Sequence, residues 1–399
     1  MKNIAVYELN GKLISESPVE FVERKGLGHP DSLIDGIVES MSRELSKIYM
    51  NEFGSVLHHN VDKGLIVGGS SEVKFGQGKI TKPIEVIIAG RATNNVNGKN
   101  IPVNEIAREV VDNYLKKNTR FLDIDKEVIV TSKILPGSQD LNQIFKRSSS
   151  IPLANDTSFG IGFAPFTKAE LLPLKIEKFL NSSEYKKKMP MVGEDIKVMC
   201  IRQNNKYNIN IAIAFVAKFI NDAESYAKYK EEVKSDVAKL IKNIVDDEVE
   251  LKINSGDDIK HNEVYITKSG LSCESGDDGQ VGRGNRINGL ITPFRTMTME
   301  AAAGKNPINH TGKIYSVLSN EIAKEIVNEY NQVANCTVAI VSYIGEPIND
   351  PKNLTINLYM KKGEKLDPIK SKIMSIAEEK LKNIQEISRG FIEGKYEIF

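Results

Sequence analysis

The sequence predicts an α+β protein in which long amphipathic helices cover mixed sheets. Three observations predict it. Strand-like and helix-like patterns alternate along 399 residues. Ile209, Ile211, Ile213 and Phe215 alternate with the smaller or polar Asn210, Ala212 and Ala214, as a strand does when it buries one face more heavily. Leu33, Ile34, Ile37, Val38, Met41, Leu45 and Ile48 recur at helical spacing between Ser32 and Tyr49.

The run Glu23-Arg24-Lys25-Gly26-Leu27-Gly28-His29-Pro30-Asp31-Ser32 opens directly into that helix. Pro30 suits a first turn, and Asp31 or Ser32 can cap it. A helix start also gathers free amides and the positive end of the dipole, which attract phosphate. The segment therefore reads either as a capping sequence or as an anion or metal site with His29 at its mouth. The next strands are Leu65 to Val67, Ile84 to Ala89 and Val128 to Val130. His58 and His59 are neighbours on extended chain, so they point to opposite faces and read as structural rather than as a metal pair.

After Val130 comes Ile134-Leu135-Pro136-Gly137-Ser138-Gln139-Asp140-Leu141, either a strand-to-helix turn capped by Ser138 or a cradle for phosphate or ribose. In Leu153 to Pro165, Asp156 sits between apolar residues and a Gly/Phe strand, where a carboxylate caps a turn or holds a ligand ammonium. In Val192 to Met199, Lys197 enters an apolar strand, which is costly unless its head is paired or reaches water. Ala223 to Val245 and Ile369 to Ile387 read as long helices with solvated charged faces. Val338 to Tyr343 and Leu354 to Leu358 read as a late strand pair.

The segment Gly276 to His310 is the richest in chemistry. It combines many glycines with Arg283, Arg286, Lys305 and the pair Asp277-Asp278. Glycine lets backbone amides approach a ligand, and the cations suit phosphate oxygens. Both signs together suggest a metal-bound polyphosphate. Gly304-Lys305 is followed by Asn306, which excludes a Walker A loop, and Gly282 to Ile287 lacks the third glycine of a Rossmann fingerprint.

The 54 Lys and Arg nearly cancel the 53 Asp and Glu, so bulk charge signals neither nucleic acid nor membrane. Cys200, Cys273 and Cys336 form no CxxC pair and fit a reducing compartment. Residues 1–10 hold no apolar run of signal-peptide length, and Ile209 to Ile220 is too short to span a bilayer. The expectation is a cytoplasmic protein. Breaks at Pro136-Gly137 and Ser269 to Gly276 divide the chain near 1–135, 136–270 and 271–399, with no visible sequence repeat.

Taken together, the segments resemble the archaeal-type S-adenosylmethionine synthetases. Glu23 to Ser32 is similar to that family's ERKGLGHPDS, Leu153 to Pro165 to its LANDTSFG segment and Val192 to Met199 to VGEDIKVM. Gly276 to Pro307 is similar to its GDDG…GRGNR…GKNP stretch. Asn309-His310-Thr311 stand where the bacterial branch carries a further lysine and a metal-binding aspartate.

The resemblance implies a single catalytic unit of three similar, interleaved subdomains of mixed sheet, with strand exchange between them. It implies a homodimer with shared active sites, or a higher oligomer built on it. The implied reaction joins ATP and L-methionine and then hydrolyses the tripolyphosphate, with Mg2+ and K+ as cofactors. His29 is implied at the C5′ leaving oxygen and Asp31 at Mg2+. Lys197, Arg283 and Lys305 are implied on the triphosphate. Leu135, Pro136, Gly137, Ser138, Gln139 and Asp140 are implied at ATP. Asp156 is implied at the methionine ammonium, and Asp277 on the methionine or alkali-ion side. The residues alone also permit a phosphohydrolase or a non-catalytic nucleotide-binding subunit.

Overall fold

Three sheets are built to one plan. The computed structural model describes residues 3–137 and 151–399. In each sheet an antiparallel strand pair lies at the centre: His59–Val67 with Ile84–Ala92, Val192–Gln203 with Lys206–Val216, and Val333–Ser342 with Asn353–Met360. A parallel strand flanks the second member of each pair. These are Val128–Leu135, Glu248–Ile253 and Ile4–Glu8. An antiparallel strand flanks the first member: Gly279–Gln280, Val19–Lys25 and Ser158–Ala164.

The antiparallel flanking strands are exchanged in a ring. Val19–Lys25 leads into helix Pro30–Phe53, which packs on strand His59–Val67, yet the strand itself joins the sheet of Val192–Gln203. Ser158–Ala164 leads into helix Lys168–Leu180 but joins the sheet of Val333–Ser342. Gly279–Gln280 precedes helix Thr311–Glu329 but joins the sheet of His59–Val67. Each helix therefore packs on one sheet and is tethered to the next. The repeat is a pattern of pairings, and a pairing pattern leaves no sequence signature.

One apolar core fills the space between helices Pro30–Phe53 and Thr311–Glu329 and two of the sheets. A second lies under helices Lys168–Leu180 and Ala223–Lys242. The far faces of the sheets keep large apolar side chains exposed, among them Phe21, Leu65, Ile129 and Phe159. No described helix is long and apolar enough to cross a membrane. The three cysteines are buried and free.

The helix expected from Ser32 runs from Pro30 to Phe53 and ends at Gly54, whose φ of 73° suits a left-handed cap. The expected helix Ile369 to Ile387 is two helices, Lys370–Lys382 and Gln385–Glu393. The amide of Asn383 closes the first on Glu379 and Leu381. After the turn, Ile387 and Phe391 are buried in the main core. Strand Ser158–Ala164 lies so close to helix Thr311–Glu329 that a Cβ at Gly162 would sit 2.2 Å from the Asn320 amide nitrogen. Gly162→Ala is expected to lower unfolding stability by about 1–3 kcal/mol, by overpacking against backbone. An unchanged denaturation midpoint would refute that contact.

Candidate active site

The turn before helix Pro30–Phe53 is pinned to strand Val192–Gln203. Gly26 N–H donates to Ile196 O at 2.7 Å, and Gly28 N–H donates to Glu194 O at 3.0 Å. A Cβ at Gly28 would lie 2.4 Å from the Glu194 carbonyl carbon, so this approach requires glycine. His29 follows as the N-cap, and its Nδ1 accepts from the Asp31 amide at 3.2 Å. A neutral imidazole that accepts at Nδ1 carries its proton on Nε2. Burial pulls the His29 pKa down to about 4, with Lys25 and Lys197 pushing the same way against Asp31 and Asp277. His29 is therefore a neutral Nε2–H donor at pH 7.

Asp31 is held from two sides. Its Oδ2 receives Lys25 Nζ at 2.7 Å, and its Oδ1 receives the Gln280 amide at 2.8 Å. Lys25 Nζ also donates to Arg283 O at 2.9 Å, which fixes the glycine-rich loop beside the helix start. The Arg283 side chain is exposed and makes no ion pair among the described residues. Lys197 is paired in register with Lys25 across the strands, and its half-exposed ammonium lies 3.6 Å from Glu23. Arg286 turns inward instead and donates to the carbonyls of Gly282 at 2.5 Å and Gly284 at 2.9 Å. Asp35 receives the Gly282 amide at 3.0 Å, and burial pushes its carboxyl up to about 7.

Asp277 is exposed and receives the Ser272 hydroxyl at 2.9 Å. The same hydroxyl meets the buried Asp195, whose carboxyl burial pushes up to about 7. Asp278 accepts from the Gly68 amide at 2.8 Å, a structural contact.

A second group surrounds Lys305 at the start of helix Thr311–Glu329. Lys305 Nζ lies 3.0 Å from Asp62 and 2.6 Å from Glu300. Burial works against its ammonium, yet these two carboxylates hold its pKa above the ordinary lysine value. Asp156 lies 3.5 Å from His310 Nε2, and the His310 contact holds its carboxyl below the usual range. His310 caps its helix as His29 does, with Nδ1 accepting from the Lys313 amide at 3.4 Å. Burial keeps it neutral, so its Nε2–H faces Asp156.

Behind Lys305, Lys313 Nζ donates to both oxygens of Glu39 at 2.6 and 2.7 Å and to Lys305 O at 3.0 Å. Helix Pro30–Phe53 and the Lys305 loop are thereby joined. Ser42 Oγ donates to Lys305 O from the same helix, and His59 supports Ser42, in keeping with a structural histidine.

The structure thus gathers His29, Asp31, Lys197 and Asp277 at one helix start, with the Arg283 loop beside them. It gathers Asp156 and Lys305 at another. The hydrogen bonds and ion pairs of the two groups stay separate among the described residues. Leu135 ends strand Val128–Leu135, Pro136 and Gly137 follow it, and Arg91 donates to Pro136 O at 3.3 Å. Ser138, Gln139 and Asp140 lie outside the described residues. Among the described residues no set of three or more His, Cys, Asp or Glu converges as a metal cage.

The profile of the S-adenosylmethionine synthetase (AdoMet synthetase) family matches residues 2–395. The chain belongs to the S-adenosylmethionine synthetase family. It is 48% identical over 407 residues to the S-adenosylmethionine synthase of Methanocaldococcus jannaschii, with all of both chains covered. It is 45% identical over 401 residues to a probable S-adenosylmethionine synthase of Aquifex aeolicus, again with both chains fully covered. A solved structure described as an unusual S-adenosylmethionine synthetase from Campylobacter jejuni shares the fold at TM-score 0.56 and 14% identity, over 90% of this chain and 86% of that one.

Within this member of the family, sequence reasoning missed the supports. Lys25, Asp62, Glu300 and His310 each touch a candidate site residue, and none was singled out for it. Only His310 carried a signal, as a histidine directly before a helix.

Neither His29 nor His59, whose pKa burial pulls down to about 3, is expected to titrate between pH 5 and 8. The unfolded chain takes up protons at these rings below about pH 6.5, so they remove stability as pH falls through that range. Asp35 works in the opposite direction, since its folded form holds a proton that the unfolded form releases. Histidine-resolved NMR titration checks this, and a midpoint near 6.5 at either ring would refute it.

Proposed function

We propose that the chain joins L-methionine to the adenosyl group of ATP and then hydrolyses the released tripolyphosphate to phosphate and diphosphate. The family supports the reaction. The observation that carries the mechanism is His29: a buried, neutral Nε2–H donor at a helix N-terminus, ringed by Lys25, Lys197 and the Arg283 loop.

In this reading the methionine sulfur attacks C5′ in line, and the whole triphosphate departs. Negative charge grows on the bridging oxygen as the C–O bond breaks. An Nε2–H aimed there strengthens its hydrogen bond in the transition state, which is where stabilisation raises rate. Lys197, Arg283 and Lys305 hold the phosphates, each charged contact contributing about 1.5–3 kcal/mol. The side chain of Arg283, without an ion pair among the described residues, is available to a phosphate. Asp156, half-exposed and kept ionised by His310, takes the methionine ammonium, and Asp277 lies on the methionine or alkali-ion side. Leu135 to Asp140 contact ATP. The site as a whole must then accept a zwitterion beside a polyanion, and the two groups of side chains divide that work.

Mg2+ and K+ are the proposed cofactors. Mg2+ is commonly held by one or two carboxylates plus substrate phosphates rather than by a protein cage. Asp31 beside a phosphate-binding helix start fits that pattern, and the metal would offset charge on the triphosphate. Asp31 spends one oxygen on Lys25 and the other on the Gln280 amide, so holding the metal would require Lys25 to give up its contact.

The partner is a second copy of the chain. The separate His29 and Lys305 groups would complete one another across the interface, and the exposed apolar faces of the three sheets are the surfaces it would cover. On this reading each sheet with its covering helix is one subdomain of a single catalytic unit, divided near 1–135, 136–270 and 271–399. The location is cytoplasmic.

Purified protein with ATP, Mg2+, K+ and methionine is expected to form S-adenosylmethionine, with phosphate and diphosphate in equal amounts. Phosphate release indifferent to methionine would overturn the reading in favour of a phosphohydrolase. His29→Ala is expected to cut S-adenosylmethionine formation by roughly 100-fold or more, with tripolyphosphate hydrolysis less affected. Equal loss in both half-reactions refutes the role at C5′. Lys305→Ala is expected to impair both half-reactions by roughly 100-fold, and retained hydrolysis would remove it from the phosphates.

A further inference from the structure

A cavity of about 840 Å³ lies between helices Pro30–Phe53 and Val103–Asn118 and the segment after Gly394. That volume falls in the range of small-molecule sites. It is distinct from the groups described above: it faces Ser32, Gly36 and Arg43, whereas Asp31 and Asp35 face the glycine-rich loop. Its wall includes Lys25, so it lies directly behind the His29 turn.

Most of the charged side chains on its wall are already paired. Arg24 is spent on Glu177, Lys25 on Asp31, and Lys178 on Glu397. Glu39 is spent on Lys313. Lys47 and Lys117 at the mouth offset Glu44 and Glu109 in formal charge. Arg43 remains, with no carboxylate partner among the described residues, and its Nε is buried without an acceptor. A guanidinium offers five N–H donors in a fixed fork, and a buried one left unmet, as Nε is here, is costly. Two further wall residues hold buried polar atoms without a partner, Tyr114 Oη and Asn181 Oδ1. The apolar part of the wall comes from Ile48, Ile106, Val110 and Ile398, beside the polar Ser40, Asn113 and Asn118.

We propose that this cavity is a second small-molecule site, which takes an anion with an apolar body. The anionic group meets Arg43, and the body lies against Ile106, Val110 and Ile398. The site would be separate from ATP and methionine. A ligand bound there would touch the back of the turn that carries His29, through Lys25 and Ser32.

The test uses the full chain and 1-anilinonaphthalene-8-sulfonate, an aromatic body with one sulfonate. The expected result is saturable fluorescence enhancement at one site per chain, undiminished by ATP and methionine. Arg43→Gln is expected to weaken it by roughly tenfold or more, with the thermal transition retained. Ile106→Trp, which fills the body of the cavity, is expected to abolish it, and it serves in place of Arg43→Gln if that variant does not fold. Ile259→Ser, at an exposed apolar residue off both the cavity wall and the sheet faces, is expected to leave it unchanged. Absence of saturable binding, binding displaced by ATP, or binding that survives both cavity variants overturns the proposal. The readout involves no turnover, so it stands or falls separately from the enzymatic reading.

Discussion

The carboxylate of Glu39 and the ammonium of Lys313 meet where helix Pro30–Phe53 crosses the start of helix Thr311–Glu329. Lys313 is fully buried, and burying an ammonium costs several kcal/mol unless its donors are all met. Here two go to Glu39 and the third to Lys305 O. Glu39 in turn takes the Gly304 amide. The pair therefore does more than join two helices. It fixes the main chain on both sides of the Lys305 side chain and ties that loop to the helix that His29 caps. The position of one site group relative to the other depends on this contact.

Of the three helices that follow the exchanged strands, two begin with a histidine, and both histidines accept a backbone N–H at Nδ1. The tautomer follows from the cap. In each case Nε2–H is left over and points to where chemistry is proposed, at the leaving oxygen for His29 and at Asp156 for His310. The third helix begins at Thr167 in an ordinary capping box with Glu170, and Glu170 is bound by Arg295 at 2.7 and 2.8 Å. That helix start is sealed. The same fold element thus serves structure once and site geometry twice, according to which side chain caps it.

The ring of exchanged strands explains how segments far apart in sequence become one site. Strand Val19–Lys25 carries Lys25 to the edge of the sheet that carries Lys197. Strand Gly279–Gln280 brings the glycine-rich loop onto the sheet covered by the His29 helix. Each exchange moves one group of charges to a helix start that belongs to another sheet. The exposed apolar faces left on the far side of the sheets are the part of this plan that one chain does not bury.

Much of this was legible in the sequence. Apolar periodicity located helix Pro30–Phe53 and the strands around Ile84, Ile209 and Leu354, because periodicity is a local property of a half-buried element. The histidine before Pro30 and the glycine-rich run marked the candidate site, since close backbone approach demands glycine and an anion demands amides or cations. What the sequence could not show is pairing. The two-residue strand Gly279–Gln280 has no periodicity, and the short strand Ile4–Glu8 is parallel to a partner some 350 residues away. The break at Asn383 follows from where the main core lies, and the partners of Asp31, Asp156 and Lys305 follow from which elements meet. Composition and spacing determined the chemistry this chain carries. Only the tertiary structure decided which charges neutralise one another, because long-range contacts set burial, and burial sets whether a histidine is neutral or a lysine is spent.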